Sequence, residues 1–219
     1  LREALSHPDP LTLNAFYLAP TVLGPVDCRV EILRSGTSTS HAQVRMYQEG
    51  ELKVLVTAAY TDLDRLSGES WSRQQAPEWP PFEACELVAQ DVIEMRQNVP
   101  LRLATGAEVF SRRETDGSGE FRGWATHADG ADPDVLSLLM FADAFPPPIF
   151  TVYGPLHWVP TLELTVQVRA HPAPGPIQMQ LSSRHLTDGV VEEDGVYWDS
   201  QGTLVALSRQ CAKVRVPSR

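Results

Sequence analysis

The side chain best placed for acid–base chemistry in this sequence is Asp143. It is the only ionisable group between Val135 and Phe150, a stretch otherwise built from Leu, Met, Phe, Ala, Val, Ile, Ser and Pro. A carboxylate among apolar neighbours is desolvated, and at the end of a helix it also meets the negative end of the dipole. Both effects raise its affinity for a proton. A second reading stays open at this point, in which Asp143 simply reaches solvent at a frayed helix end. Other chemistries find less support. No GxSxG elbow occurs, since Gly68-Glu69-Ser70-Trp71-Ser72 lacks its second glycine. The six histidines (His7, His41, His127, His157, His171, His185) show neither HxH nor HxxxH spacing, so no metal site is expected. His157, beside Trp158, is read as a packing or solvent histidine, with a substrate contact as the alternative. GADPD and GSGEF lack the phosphate-loop pattern. No cofactor is expected.

The element that must carry Asp143 is a helix over Pro133–Ala144. Asp132 can cap it, Pro133 suits its first turn, and Asp134 complements its positive end. Apolar residues on every side predict burial all round. Pro146-Pro147-Pro148 stops it, because a residue preceding proline avoids helical angles. Before this helix, Leu1–Ser6 reads as the last turns of another one. Strand-like segments follow at Leu11–Leu18, Pro25–Arg34, Thr37–Gln48 and Leu52–Thr61, punctuated by Gly24-Pro25, Ser35-Gly36 and Glu49-Gly50. The stretch 64–100 contains QQAPEWPPF and reads as a surface connector. Glu108–Arg113 and Glu120–His127 are predicted to pair as a hairpin around Asp116-Gly117-Ser118-Gly119. Four more strand candidates lie between the helix and Val216.

Composition narrows the partners. Eighteen Lys plus Arg against 28 Asp plus Glu give a net charge of −10 over 219 residues. That balance argues against nucleic acid or an anionic membrane surface. No signal peptide and no apolar run of membrane-spanning length are apparent. Cys28, Cys85 and Cys211 are far apart and form no CxxC pair, as suits a reduced, cytoplasmic protein. The chain is long enough to bury roughly 70% of its unfolded surface.

An internal repeat organises these segments. Displacing the first half by 151 residues sets Leu11-Thr12-Leu13 on Leu162-Glu163-Leu164 and Gly24-Pro25 on Gly175-Pro176. At 152, Val44 meets Val196, the Gln48-Glu49-Gly50 turn meets Ser200-Gln201-Gly202, and Leu52 meets Leu204. Turn glycines and apolar positions therefore keep register together. On the same displacement the buried helix maps to positions before residue 1, so the first unit is expected to lack its first strands and most of its helix. Each unit is a helix wrapped by an antiparallel sheet. The expected fold is α+β, a double hotdog: a first repeat over 1–63, a connector over 64–100 and a second repeat over 101–219.

Three segments, FADAFPPPIF, WVPTLELTVQVRA and GVYWDSQGTLVALSRQCA, resemble the TesB-like (type II) acyl-CoA thioesterases of double hotdog fold. HPDPLTLNAFYLAPTVLGPVDCRVEILRSGTSTSHAQVRMYQEG is similar to that family's N-terminal repeat. The resemblance implies hydrolysis of an acyl-CoA by a water that an Asp, a Thr and a Gln hold and activate. By position these fall on Asp143, Thr161 and Gln210. Many relatives carry Asp where Glu163 stands, a position outside the three.

The residues themselves test these assignments. Leu204, Ala206, Ser208, Gln210, Ala212 and Val214 share one strand face, with Arg209, Lys213 and Arg215 on the other. The basic row faces water, so Gln210 faces the helix, where it must find a hydrogen-bond partner. A purely structural role, tying up a neighbouring backbone group, is the alternative. Thr161 fits less well. In Thr161–Arg169 the apolar residues take even positions, which puts Thr161 on the polar row with Glu163 unless the strand entry after Pro160 is irregular. Its repeat counterpart is Pro10, and that of Gln210 is Ala58, so one active site per chain is expected, from the second half. A hotdog hydratase or dehydratase would want a histidine near the helix, and none lies between Asp129 and Phe150. A non-catalytic acyl-binding module is the other alternative. Sheet edges in such folds pair readily, so a homodimer or larger assembly is expected.

Overall fold

The computed structural model describes residues 1–89, 95–155 and 158–214. Four strands open the chain: β1 (Asp9–Tyr17), β2 (Asp27–Ser35), β3 (Ser40–Gln48) and β4 (Glu51–Thr61). The middle holds β5 (Glu86–Leu87), α1 (Met95–Asn98), β6 (Leu101–Thr105), α2 (Glu108–Ser111) and β7 (Glu120–Ala125). Then come α3 (Val135–Phe141), α4 (Phe150–Tyr153), β8 (Thr161–Val168), β9 (Ile177–Ser182), β10 (Leu186–Thr187), β11 (Val190–Trp198) and β12 (Leu204–Lys213). Among the described residues twelve strands form one antiparallel sheet, in the order β2-β3-β4-β1-β8-β12-β11-β9-β7-β6-β5, with β10 on β11. The sets β2-β3-β4-β1 and β9-β11-β12-β8 have the same internal order and meet where β1 pairs with β8.

The sheet curls around α3. Val135, Leu138 and Phe141 are buried against a cluster that includes Phe121, Val166, Met179, Tyr197 and Val205. The main buried cluster runs from Val88 to Ala206 and takes no fully buried residue from β1–β4. At the opposite end, β2 is exposed along its length.

Several expectations need correction here. The helix is shorter than Pro133–Ala144. Its cap is Asp134, whose Oδ1 accepts the N–H groups of Leu136 (2.9 Å) and Ser137 (2.8 Å), while Ser137 Oγ accepts the N–H of Asp134. Extended backbone at Asp134 leaves Pro133 outside the helix, and Asp132 instead accepts from the Gly175 N–H at 3.1 Å. At the other end the helix tightens: Asp143 N–H donates to Met140 O and Ala144 N–H to Phe141 O, three residues back rather than four. Burial is not complete either, since Leu136 is 37% exposed.

Glu108–Arg113 is not a strand. Gly106, at φ +82°, turns the chain out of the sheet, and its missing side chain admits the Phe121 ring, which a Cβ would meet at 2.6 Å. A helical turn follows that buries Val109 and stacks Phe110 on Phe121 at 5.9 Å. β7 pairs with β6 instead. No helix among the described residues is long and apolar enough to cross a membrane.

Candidate active site

Asp143 sits in the tightened turn after α3, partly buried, where the proline run turns the chain away. Burial pushes its carboxyl up from an ordinary 3.8 to about 6, against the opposing pull of a hydrogen bond from Tyr17. That bond runs from the Tyr17 hydroxyl to Asp143 Oδ2 at 3.2 Å. Tyr17 ends β1 in the first half of the chain, so the two halves meet at this carboxylate. Burial, then the nearby Asp143 charge, push the Tyr17 phenol well above its usual value, so it remains a donor.

Gln210 is 8% exposed and points inward, as the alternation on β12 requires. Its Nε2 donates to Thr161 Oγ1 at 2.6 Å. Thr161 therefore does not belong to the polar row. Gln210 pairs with Leu164 and Cys211 with Glu163, yet Ala212 pairs with Thr161, so Leu162 is an extra residue on β8. Such a bulge reverses the facing of everything beyond it. Leu162 is turned out, 37% exposed, and Thr161 is turned in beside Gln210. Glu163 stays on the other face, bonded to Asn14 and, at 2.6 Å, to the Thr165 hydroxyl.

Asp143, Thr161 and Gln210 line one cavity of about 580 Å³, whose walls include Phe145, Phe150 and Trp158. A more open cavity of about 740 Å³ adjoins it and shares Asp143, Trp158, Val159 and Thr161. Asp143 and Thr161 thus stand where the two cavities meet, with Gln210 on the wall of the first. His157 lies outside the described residues.

Two participants escaped the reading of the sequence. Tyr17 lies 126 residues from Asp143 and carried no local signal. Glu193 did carry one. It interrupts the inward row Val191, Glu193, Gly195, Tyr197 of β11, all buried, and it lines the same cavity. Burial, then the charges of Asp143 and Glu192, push its carboxyl up to about 8. No group of histidine, cysteine and acidic side chains among the described residues is arranged to hold a metal ion.

Comparison with known proteins adds to this geometry. The family model for an acyl-CoA thioesterase C-terminal domain matches residues 68–214, and that for the N-terminal domain matches residues 1–62. The solved structure of a candidate thioesterase II from Thermobifida fusca superposes with a TM-score of 0.87 at 27% identity, covering 98% of this chain and 81% of that one. A hot dog fold protein of unknown function from Alicyclobacillus acidocaldarius gives a TM-score of 0.84 at 23% identity, over 97% of this chain and 83% of its own. An uncharacterised protein of Mycobacterium tuberculosis is 26% identical over 222 residues, 94% of this chain and 76% of that relative. The fold is thus an α+β hotdog fold.

Proposed function

Since the chain belongs to the acyl-CoA thioesterase family, in its TesB-like branch, we propose that it hydrolyses a fatty acyl-CoA to the free acid and CoA. Water activated by Asp143 is the nucleophile. The observation that carries this reading is the convergence of Asp143, Thr161 and Gln210 on one cavity, with Gln210 bonded to Thr161.

The hydrogen bonds assign the parts. Because Gln210 spends an N–H on Thr161, its Oε1 is left to accept a proton of the water. The Thr161 hydroxyl, already accepting from Gln210, has its own proton free to orient the water oxygen. Asp143, ionised above about pH 6, takes the remaining proton as the oxygen attacks the thioester carbonyl. Tyr17 keeps the carboxylate pointed at the cavity. The apolar chamber with Phe145 and Phe150 suits the acyl chain.

Replacing Asp143 by Asn removes the base. Thiol release from acyl-CoAs of graded chain length should fall on the order of 10²–10⁴-fold in kcat, and unchanged hydrolysis would discard the assignment. The same assay separates the alternatives, since a non-catalytic acyl-binding protein would bind acyl-CoA saturably without releasing thiol. A hydratase gains no support: among the described residues the histidine nearest the helix in sequence, His127, is bonded to Ser137 Oγ at 2.7 Å, at the end of α3 away from Asp143.

The double hotdog reading, with repeats over 1–63 and 101–219 and a connector between, is supported by the shared strand order of the two sets. Self-association is kept as a proposal, supported by the exposed Val30 and Ile32 on edge strand β2, and sedimentation would test it. A cytoplasmic location is likewise proposed, with fractionation as its test.

A further inference from the structure

Hydrolysis as described gives no part to one acidic side chain of the cavity. Glu193 lies across from Gln210 in the β11–β12 pairing and is 4% exposed. Its Oε1 is buried with no hydrogen-bond partner among the described residues. An inward strand position of this kind favours an apolar side chain, and burying a carboxyl without a partner is costly. The groups facing it disfavour its charged form. Asp143 approaches from the turn after α3, Glu192 flanks it on β11, and Tyr197 shares its row. Gln210 and Thr161 are neutral. Arg96 and Arg113 line the same cavity, but neither forms an ion pair with Glu193 among the described residues; Arg96 donates to Ala89 O and lies over the Phe110 ring.

Hydrolysis of a thioester creates negative charge on the carbonyl oxygen, and that charge needs a donor. The polar groups beside Asp143 already have parts: one Gln210 N–H goes to Thr161, the Tyr17 hydroxyl goes to Asp143, and the Thr161 hydroxyl and Gln210 Oε1 hold the water. We propose that Glu193, in its neutral acid form, donates a hydrogen bond to the thioester carbonyl oxygen and holds the charge that develops there as water attacks. This rests on the hydrolase reading and supplies the oxyanion donor that reading lacks. No proton needs to leave Glu193; its O–H bond persists through the step. Two carboxyls side by side then take opposite parts. Asp143, titrating near 6, works ionised as the base, and Glu193, titrating near 8, works neutral as the donor. Activity should rise through the first value and fall through the second.

The test is thiol release by the full chain across pH, for the parent, Glu193→Gln and Glu193→Val. Gln keeps an N–H donor of similar reach and cannot ionise. It should stay within about tenfold of the parent in kcat and lose the fall near pH 8. Val keeps the fold, because it suits the apolar row, and should lose about 10²–10³-fold in kcat with little change in KM. Parent-like kcat in Glu193→Val overturns the proposal, as does a Gln variant as damaged as Val, which would make Glu193 a group that gives its proton away. Persistence of the alkaline fall in Glu193→Gln overturns it too. A parent chain that releases no thiol marks instead the failure of the hydrolase reading, and this proposal falls with it.

Discussion

Replacing Tyr17 by Phe isolates the contact through which the first half of the chain reaches the proposed base. The phenol donates to Asp143 Oδ2 at 3.2 Å, a bond that favours the charged carboxylate and so lowers its proton affinity. Hydrogen bonds to charged groups contribute about 1.5–3 kcal/mol, and the length of this one places it at the low end. About 1.4 kcal/mol is a factor of ten in the ionisation constant. The acid limb of the pH–rate profile should therefore move upward, from near 6 to roughly 7. At pH 6 the parent is half ionised and the variant about one-tenth, so kcat/KM there should fall about fivefold. Above pH 8 the two should converge if Glu193 is also replaced by Gln, which removes the opposing limb. The profile is measured with one acyl-CoA at fixed ionic strength. A limb that stays put, or moves down, would refute the reasoning, and a loss uniform across pH would mean that Tyr17 acts on something other than the ionisation of Asp143.

Asp143→Asn should be more stable than the parent although less active. The folded carboxyl titrates at about 6 rather than 3.8, so between those values the unfolded chain gives up its proton first and stability falls as pH rises. Above pH 6 the parent has lost up to about 3 kcal/mol that the amide retains. Thermal melting should thus show a higher Tm for the variant at pH 8 and none at pH 3.5, and equal Tm at both would count against a buried carboxylate. Gln210→Ala should strand the Thr161 hydroxyl and lower kcat more than it raises KM, read from saturation curves; a pure KM effect would point to substrate binding alone. Asp134→Ala removes the cap of α3, at a cost of about 0.5–2 kcal/mol. Although partial burial raises the Asp134 carboxyl, the bonds from Ser137 and Leu136 hold it below its usual value. The Tm difference should therefore shrink as pH falls below 4. An unchanged melt would show that packing of Val135 and Leu138 alone sets the helix start.

Local pattern carried much of this protein. The four opening strands, the presence of a helix ahead of the proline run, and the inward face of Gln210 all follow from residue alternation and turn chemistry, which act within a few positions. Asp143 was legible for the same reason: a carboxylate inside an apolar run announces its own desolvation. Tertiary contacts decided the rest. Glu108–Ser111 has a strand-like composition, yet Gly106 turns the chain out of the sheet and Phe110 stacks on Phe121. The inward facing of Thr161 depends on a bulge at Leu162, and a bulge exists only relative to the partner strand, here Cys211 and Ala212. The bond from Tyr17 to Asp143 joins residues 126 positions apart. Sequence alone determined which side chains would be costly to bury; the pairing of distant strands determined which of those side chains face one another, because register is fixed by two strands together and never by one.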